Sequence, residues 1–173
     1  ANAKDGDVAE LSEVQFTFKP SAVELSASEE ERLRTLGLER RSGVPGLYLL
    51  RDANGKIELP SEEIKLEGEL KVKAERLRDE LAAHLKEKGA EGLPKSRLRG
   101  EGNKADLKGA WLSGADLSEA QLQEANLTKA QLQNANLSHA QLQTATLFQA
   151  NLTGAKLEQA KLFKPSAVEL SAS

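Results

Sequence analysis

Between Lys104 and Phe163 the chain consists of twelve consecutive five-residue units, each carrying Ala, any residue, then Leu. The leucines run from Leu107 to Leu162 at every fifth position, and an Ala stands two residues before each. On an α-helix this spacing would rotate successive leucines by about 140°, so no apolar face would form. It does not match the two-residue period of a strand either. A solenoid that turns a corner every five residues keeps every Leu inside. Such a surface offers ladders of side chains rather than a catalytic pocket.

The units read Ala105-Asp106-Leu107-Lys108-Gly109, Ala115-Asp116-Leu117-Ser118-Glu119 and Ala125-Asn126-Leu127-Thr128-Lys129. A small residue, Asp or Asn, Leu, Ser or Thr and a variable residue resembles the repeat of the pentapeptide-repeat family. The resemblance covers residues 104–163 and implies a right-handed quadrilateral β-helix with four pentapeptides per coil. Twelve units then make three coils, a stack roughly 14 Å tall at about 4.8 Å per coil. So short a stack needs a cap. The helix expected at 73–88, with the rest of its domain, is assigned that role over the first coil.

Stacking residues twenty apart puts Gln121 over Gln141 and Gln123 over Gln143 on one face, with Gln131 and Gln133 opposite. The remaining faces carry Asp106, Asn126 and Thr146, and Asp116, Asn136 and Lys156. Stacked amides are expected to hydrogen-bond along the axis and to stabilise the coil, with recognition as the alternative. Three aromatics occupy outward positions: Trp111 in the first coil, and Phe148 and Phe163 in the last. They are candidates for capping or for partner contact, Trp111 against the N-terminal domain and the two Phe under the C-terminal tail. If that tail leaves the last coil uncovered, its edge could pair with another copy, although Lys156, Lys161 and Lys164 discourage it.

Residues 1–93 read as a small α+β domain. Val14–Phe18 alternates like a half-buried strand, Pro20 interrupts it, and Val23 and Leu25 could continue it. Ser28 and Glu31 suggest a capping box for a short helix that Gly37 stops. Gly46–Leu59 reads as a hairpin around Asp52-Ala53-Asn54-Gly55. Ile64, Leu66, Leu70 and Val72 alternate, with Gly68 a bulge candidate. A helix from about Lys73 to Lys88 carries Leu77, Leu81 and Leu85 on one face. Residues 94–103 form the linker, 104–163 the solenoid, and 164–173 a tail that duplicates 19–28.

That duplication begins one residue earlier, since Phe18–Ser28 recurs unchanged as Phe163–Ser173. It admits three readings: a repeated cloning segment, a truncated tandem array with a 145-residue unit, or two copies with one structural role. The chain begins Ala-Asn-Ala-Lys and contains no Met. A start after a removed segment is therefore expected, and small residues there suit an exported or lumenal protein.

Little site chemistry is visible. With no Cys there is neither disulfide nor thiolate metal site. No apolar run approaches the roughly 18 residues of a membrane span. The residues around Asp52 and Asn54 match a calcium loop in part, but its first and twelfth ligand positions would fall on Leu50 and Ser61. Glu80 and His84 lie one helical turn apart with no third metal ligand spaced to help. No phosphate loop, nucleophile elbow or carboxylate pair is present, so no cofactor and no enzyme activity are expected.

The leading expectation is a non-catalytic interaction or scaffold module with a protein partner. The first alternative comes from the resemblance, since some pentapeptide-repeat proteins mimic duplex DNA and protect type II topoisomerases. That role needs dense acidity, whereas residues 104–163 balance five lysines against five carboxylates. The second is a subunit of a repeat-built, engineered assembly. A net charge of −3 indicates no nucleic-acid partner.

Overall fold

The structure, a computed structural model, describes residues 21–41, 43–100 and 104–162. The strand expected at Val14–Phe18 and the second copy of the duplicated segment lie outside these residues, as does Phe163.

The first helix, α1, spans Ala27–Leu36. Its N-cap is Ser26, which exchanges a capping box with Glu29, and Gly37 closes it at φ 97°. The cap therefore sits two residues before the expected Ser28–Glu31 pair. Both pairs have the right spacing, but starting at Ser26 adds about half a turn without losing the buried Leu33. Val23 and Leu25 are not in a strand, yet Val23 packs into the apolar cluster beneath the helix.

Strand β1, Leu38–Arg40, pairs antiparallel with β2, Leu47–Leu49. The turn at 52–55 forms, with the Asp52 carboxylate accepting from the amides of Asn54 and Lys56 at 2.8 and 2.9 Å. The expected hairpin, however, narrows to a single bridge, Arg51–Ile57. Beyond Ile57 the arm has little to bury, since Leu59 is 45% exposed, and β2 takes β1 as its partner instead.

Helix α2 spans Gly68–Glu87, five residues earlier at its start than expected. Leu70 and Ala74 extend the stripe of Leu77, Leu81 and Leu85, and all five are buried. The apparent alternation through Leu70 and Val72 was thus a helical face seen over too short a window. Gly68 opens the helix rather than bulging a strand, and Val72 points to solvent at 56% exposure. After α2, a 3-10 turn at Lys95–Arg97 leads into β3, Leu98–Arg99. β3 pairs antiparallel with β4, Lys104–Ala105, so residues read as linker are folded against the repeat.

From Lys104 onward the backbone spirals with a period of twenty residues. Parallel bridges join Asp106–Asn126–Thr146, Trp111–Gln131–Asn151, Asp116–Asn136–Lys156 and Gln121–Gln141–Lys161, which define four faces. From Leu107 to Leu157 each Leu carbonyl accepts from the Ala amide three residues on, as in Leu107–Ala110 at 3.0 Å. The third residue of each such turn has positive φ, from Gly109 at 70° to Glu124 at 61°. This is the pattern of a type II turn, and it makes every unit one bridge and one corner. From Leu107 to Leu142 the leucines are at most 1% exposed. The paired alanines, at most 3% exposed over the same range, leave room for the wall to close.

Candidate interaction surfaces

The two ends of the repeat are treated differently. Within the coil, outward residues donate their amides to the coil before, as Asn126 does to the Ala105 carbonyl at 2.9 Å. The first coil, residues 104–123, has no such predecessor. Its amides at Asp106, Trp111 and Gln121 donate instead to the carbonyls of Arg97, Leu47 and Leu85, at 2.8, 2.8 and 3.0 Å. The acceptors come from the 3-10 turn, β2 and the C-terminal end of α2. In the reverse direction, the Leu49 amide donates to the Gly109 carbonyl at 2.8 Å. Arg78 Nη1 donates to the Ser113 carbonyl at 2.8 Å and Arg97 Nη1 to the Asp106 carbonyl at 3.2 Å. Two guanidinium groups thus stand in for backbone donors of an absent coil, each set over an aromatic ring, Arg97 over Tyr48 at 4.3 Å and Arg78 over Trp111 at 5.8 Å. At the Asp116 face the contact is ionic, with Lys86 Nζ 3.0 Å from Asp116 Oδ2.

Trp111 is 6% exposed and packs among Val23, Leu33, Leu47, Leu77 and their neighbours. Gln121 also belongs to this seam, because its Nε2 donates to the carbonyls of Lys86 and Glu87 at 3.3 and 3.1 Å. Gln123 is exposed, and Gln141 and Gln143 are half-buried. The side-chain amides do not bond along the axis as expected. Gln143 Nε2 donates to Gln141 Oε1 at 3.2 Å, and Gln133 Nε2 to Gln131 Oε1 at 2.8 Å, both within one stretch of chain. Asn126 Oδ1 accepts from the Thr128 amide and hydroxyl at 3.1 and 2.6 Å. Axial bonding is carried mainly by the backbone, joined by Ser113 Oγ donating to the Gln133 carbonyl at 3.2 Å and by the Lys104–Glu124 ion pair, while the amide side chains clip their own corners. Two residues on, the local partner is already in reach, whereas an axial partner would have to leave its own clip.

At the far end, Phe148 is 65% exposed and Leu157 is 36% exposed. Leu147, Leu152 and Leu162 are only half-buried, unlike their counterparts one and two coils earlier. Lys156 and Lys161 are exposed on two of the four faces there.

The polar groups nearby serve the seam. The hydrogen bond from Ser118, with Lys86 alongside, holds the Asp116 carboxyl at about 2, below its ordinary 3.8. Burial pushes the Tyr48 hydroxyl up to about 12, and that hydroxyl donates to the Pro45 carbonyl at 2.6 Å. His84, whose pKa burial lowers, has Nε2 2.7 Å from the Glu91 carbonyl. Among the described residues no group of acidic or His side chains is placed to hold a metal, and no helix is long and apolar enough to cross a membrane.

The five-residue unit that builds this ladder is also the pattern of a known family. A model of pentapeptide repeats matches residues 103–138 and 125–162, with eight copies. The chain belongs to the pentapeptide-repeat family. Pentapeptide repeats form a right-handed β-helix, the fold of this segment. Among solved structures, the chain is similar to the pentapeptide repeat protein Rfr23 of the cyanobacterium Cyanothece 51142, with 40% identity, 32% of this chain and 39% of that one covered, and a TM-score of 0.32. It is also similar to HetL of Nostoc sp. strain PCC 7120, with 33% identity, 39% and 40% covered, and a TM-score of 0.29. A further pentapeptide repeat protein of Nostoc PCC 7120 shares 34% identity, with 38% and 68% covered and a TM-score of 0.18. The chain spans about two fifths of the length of the first two. Membership rests on the repeat sequence rather than on these superpositions. No curated protein matches the chain.

Proposed function

We propose that the protein is a non-catalytic interaction scaffold: three coils of pentapeptide-repeat β-helix, sealed at the first coil by an N-terminal α+β domain and binding a protein partner at the last. The observation that carries this reading is the contrast between the ends. The first coil meets donors and acceptors from β2, α2 and the 3-10 turn. The last coil presents Phe148 at 65% exposure, and Leu157, half a coil further on, is 36% exposed. An exposed aromatic next to the half-buried Leu147, on a coil that also exposes Lys156 and Lys161, has the make-up of a small interface core. A partner with an apolar centre and acidic rim suits it.

The DNA-mimic alternative gains nothing here, since the repeat's charges balance. The test immobilises the whole protein, exposes it to an extract of the source cell and compares it with Phe148→Ser. Proteins retained by the wild type and lost by a variant of unchanged melting temperature support the reading. An identical retained set from both would overturn it.

A further inference from the structure

A groove of about 640 Å³ runs between the loop at 59–63 and the coil face that carries Gln131 and Asn151. Its buried wall is an amide chain in which every donor direction seen is inward. Gln131 Nε2 donates to the Lys129 carbonyl at 3.2 Å, and Gln131 Oε1 accepts from Gln133 Nε2 at 2.8 Å. The chain ends on Gln133 Oε1, which has no partner although Gln133 is only 7% exposed. A buried acceptor left without a donor is costly, so a ligand that supplies one is favoured. The facing wall carries Glu62 and Glu63, both exposed. No lysine or arginine lines the groove, and Leu59, Pro60 and Leu152 give it apolar stretches. Both walls thus ask for donors and positive charge, with room for an aliphatic stem between them.

We propose that this groove binds an extended peptide segment bearing an arginine or lysine side chain, its cationic head between Glu62 and Glu63 and an N–H directed at the amide wall of Gln131 and Gln133. Arginine suits it best, because a guanidinium offers five donors to a pair of carboxylates and carries an apolar stem. The groove adjoins the last coil, since Gln149–Thr153 line it, but Phe148 is not part of it, and the Phe148 variant and the Glu62/Glu63 variant test the two surfaces independently. Gln143 supplies an internal control, since its Oε1 is equally bare but lies outside the groove.

The experiment titrates the whole isotope-labelled protein with the blocked peptide acetyl-Gly-Arg-Leu-Arg-Gly-amide and with its citrulline analogue, following Gln side-chain amide resonances. Expected are saturable shifts of Gln133 with Gln143 unmoved, at least tenfold weaker binding of the citrulline peptide, and a further loss of about tenfold in Glu62→Gln/Glu63→Gln. Those two residues are exposed, so the double variant should keep its melting temperature. Equal binding of both peptides, joint movement of Gln133 and Gln143, or no saturation at millimolar peptide would overturn the proposal.

Discussion

Thr144 sits at the third residue of its corner with φ 57°, a backbone region that a β-branched side chain enters only under strain. It holds there because the coil on either side fixes the corner, and its hydroxyl donates to the Gln143 carbonyl at 2.7 Å. Thr144→Gly should therefore stabilise the protein by about 0.5–1 kcal/mol and raise the melting temperature by a few degrees, even after the entropy cost of glycine. A lowered melting temperature would show that the hydroxyl matters more than the strain. Asp116 makes a second case. Its folded pKa of about 2 lies below its ordinary 3.8, so its contribution is present above about pH 4 and is lost as pH falls from there to about 2. The side chain is 63% exposed, so the contribution is small. The direct measurement is an NMR titration of Asp116, and Lys86→Met should move its midpoint upward. The inward Leu and Ala were legible in the sequence because one period explains all of them. The fifth position was not, since Glu, Lys, Gln and His there give no sign that the backbone is left-handed.

The elements of the N-terminal region were legible in kind and misplaced in extent. The stripe of Leu77, Leu81 and Leu85 identifies α2, but Leu70, which extends the same stripe through Ala74, also fits the alternation of Ile64, Leu66 and Val72. A spacing of four also satisfies a period of two, so a short window cannot separate the readings. The hairpin turn was legible from Asp52 to Gly55, whereas the partner of β2 was not, because β1 is three residues long and lies across an intervening loop. Arg78 and Arg97 were invisible as capping groups, since nothing in their local sequence marks an arginine that donates to a carbonyl 35 or 9 residues away. The seam itself depends on close approach. Gly89 has φ 61°, and a Cβ there would lie 2.9 Å from the Gln121 carbonyl oxygen. Gly89→Ala should cost about 1–3 kcal/mol, from the left-handed strain and from the push on α2 away from the first coil. Thermal unfolding reads this, and an unchanged melting temperature would mean that the seam is looser than its geometry.

At the scale of the whole molecule, the fold is a repeat that ends by borrowing. A β-helix has no natural start, because each coil takes its hydrogen-bond partners from the one before. Here β2, the end of α2 and the turn before β3 supply backbone partners on three of the four faces, two arginine side chains reach the carbonyls of Asp106 and Ser113, and Lys86 pairs with the Asp116 carboxylate on the fourth face. The sequence announced the repeat and the need for a cap, but not which backbone groups would meet, since that depends on tertiary approach. The difference between a sealed first coil and an exposed last one underlies the scaffold reading. Hydrogen exchange of individual amides tests it most directly. The amides of Asp106, Trp111 and Gln121 should exchange as slowly as those of Asn126, Gln131 and Gln141 one coil further on. Exchange of the first three at the rate of unprotected amides would contradict the account.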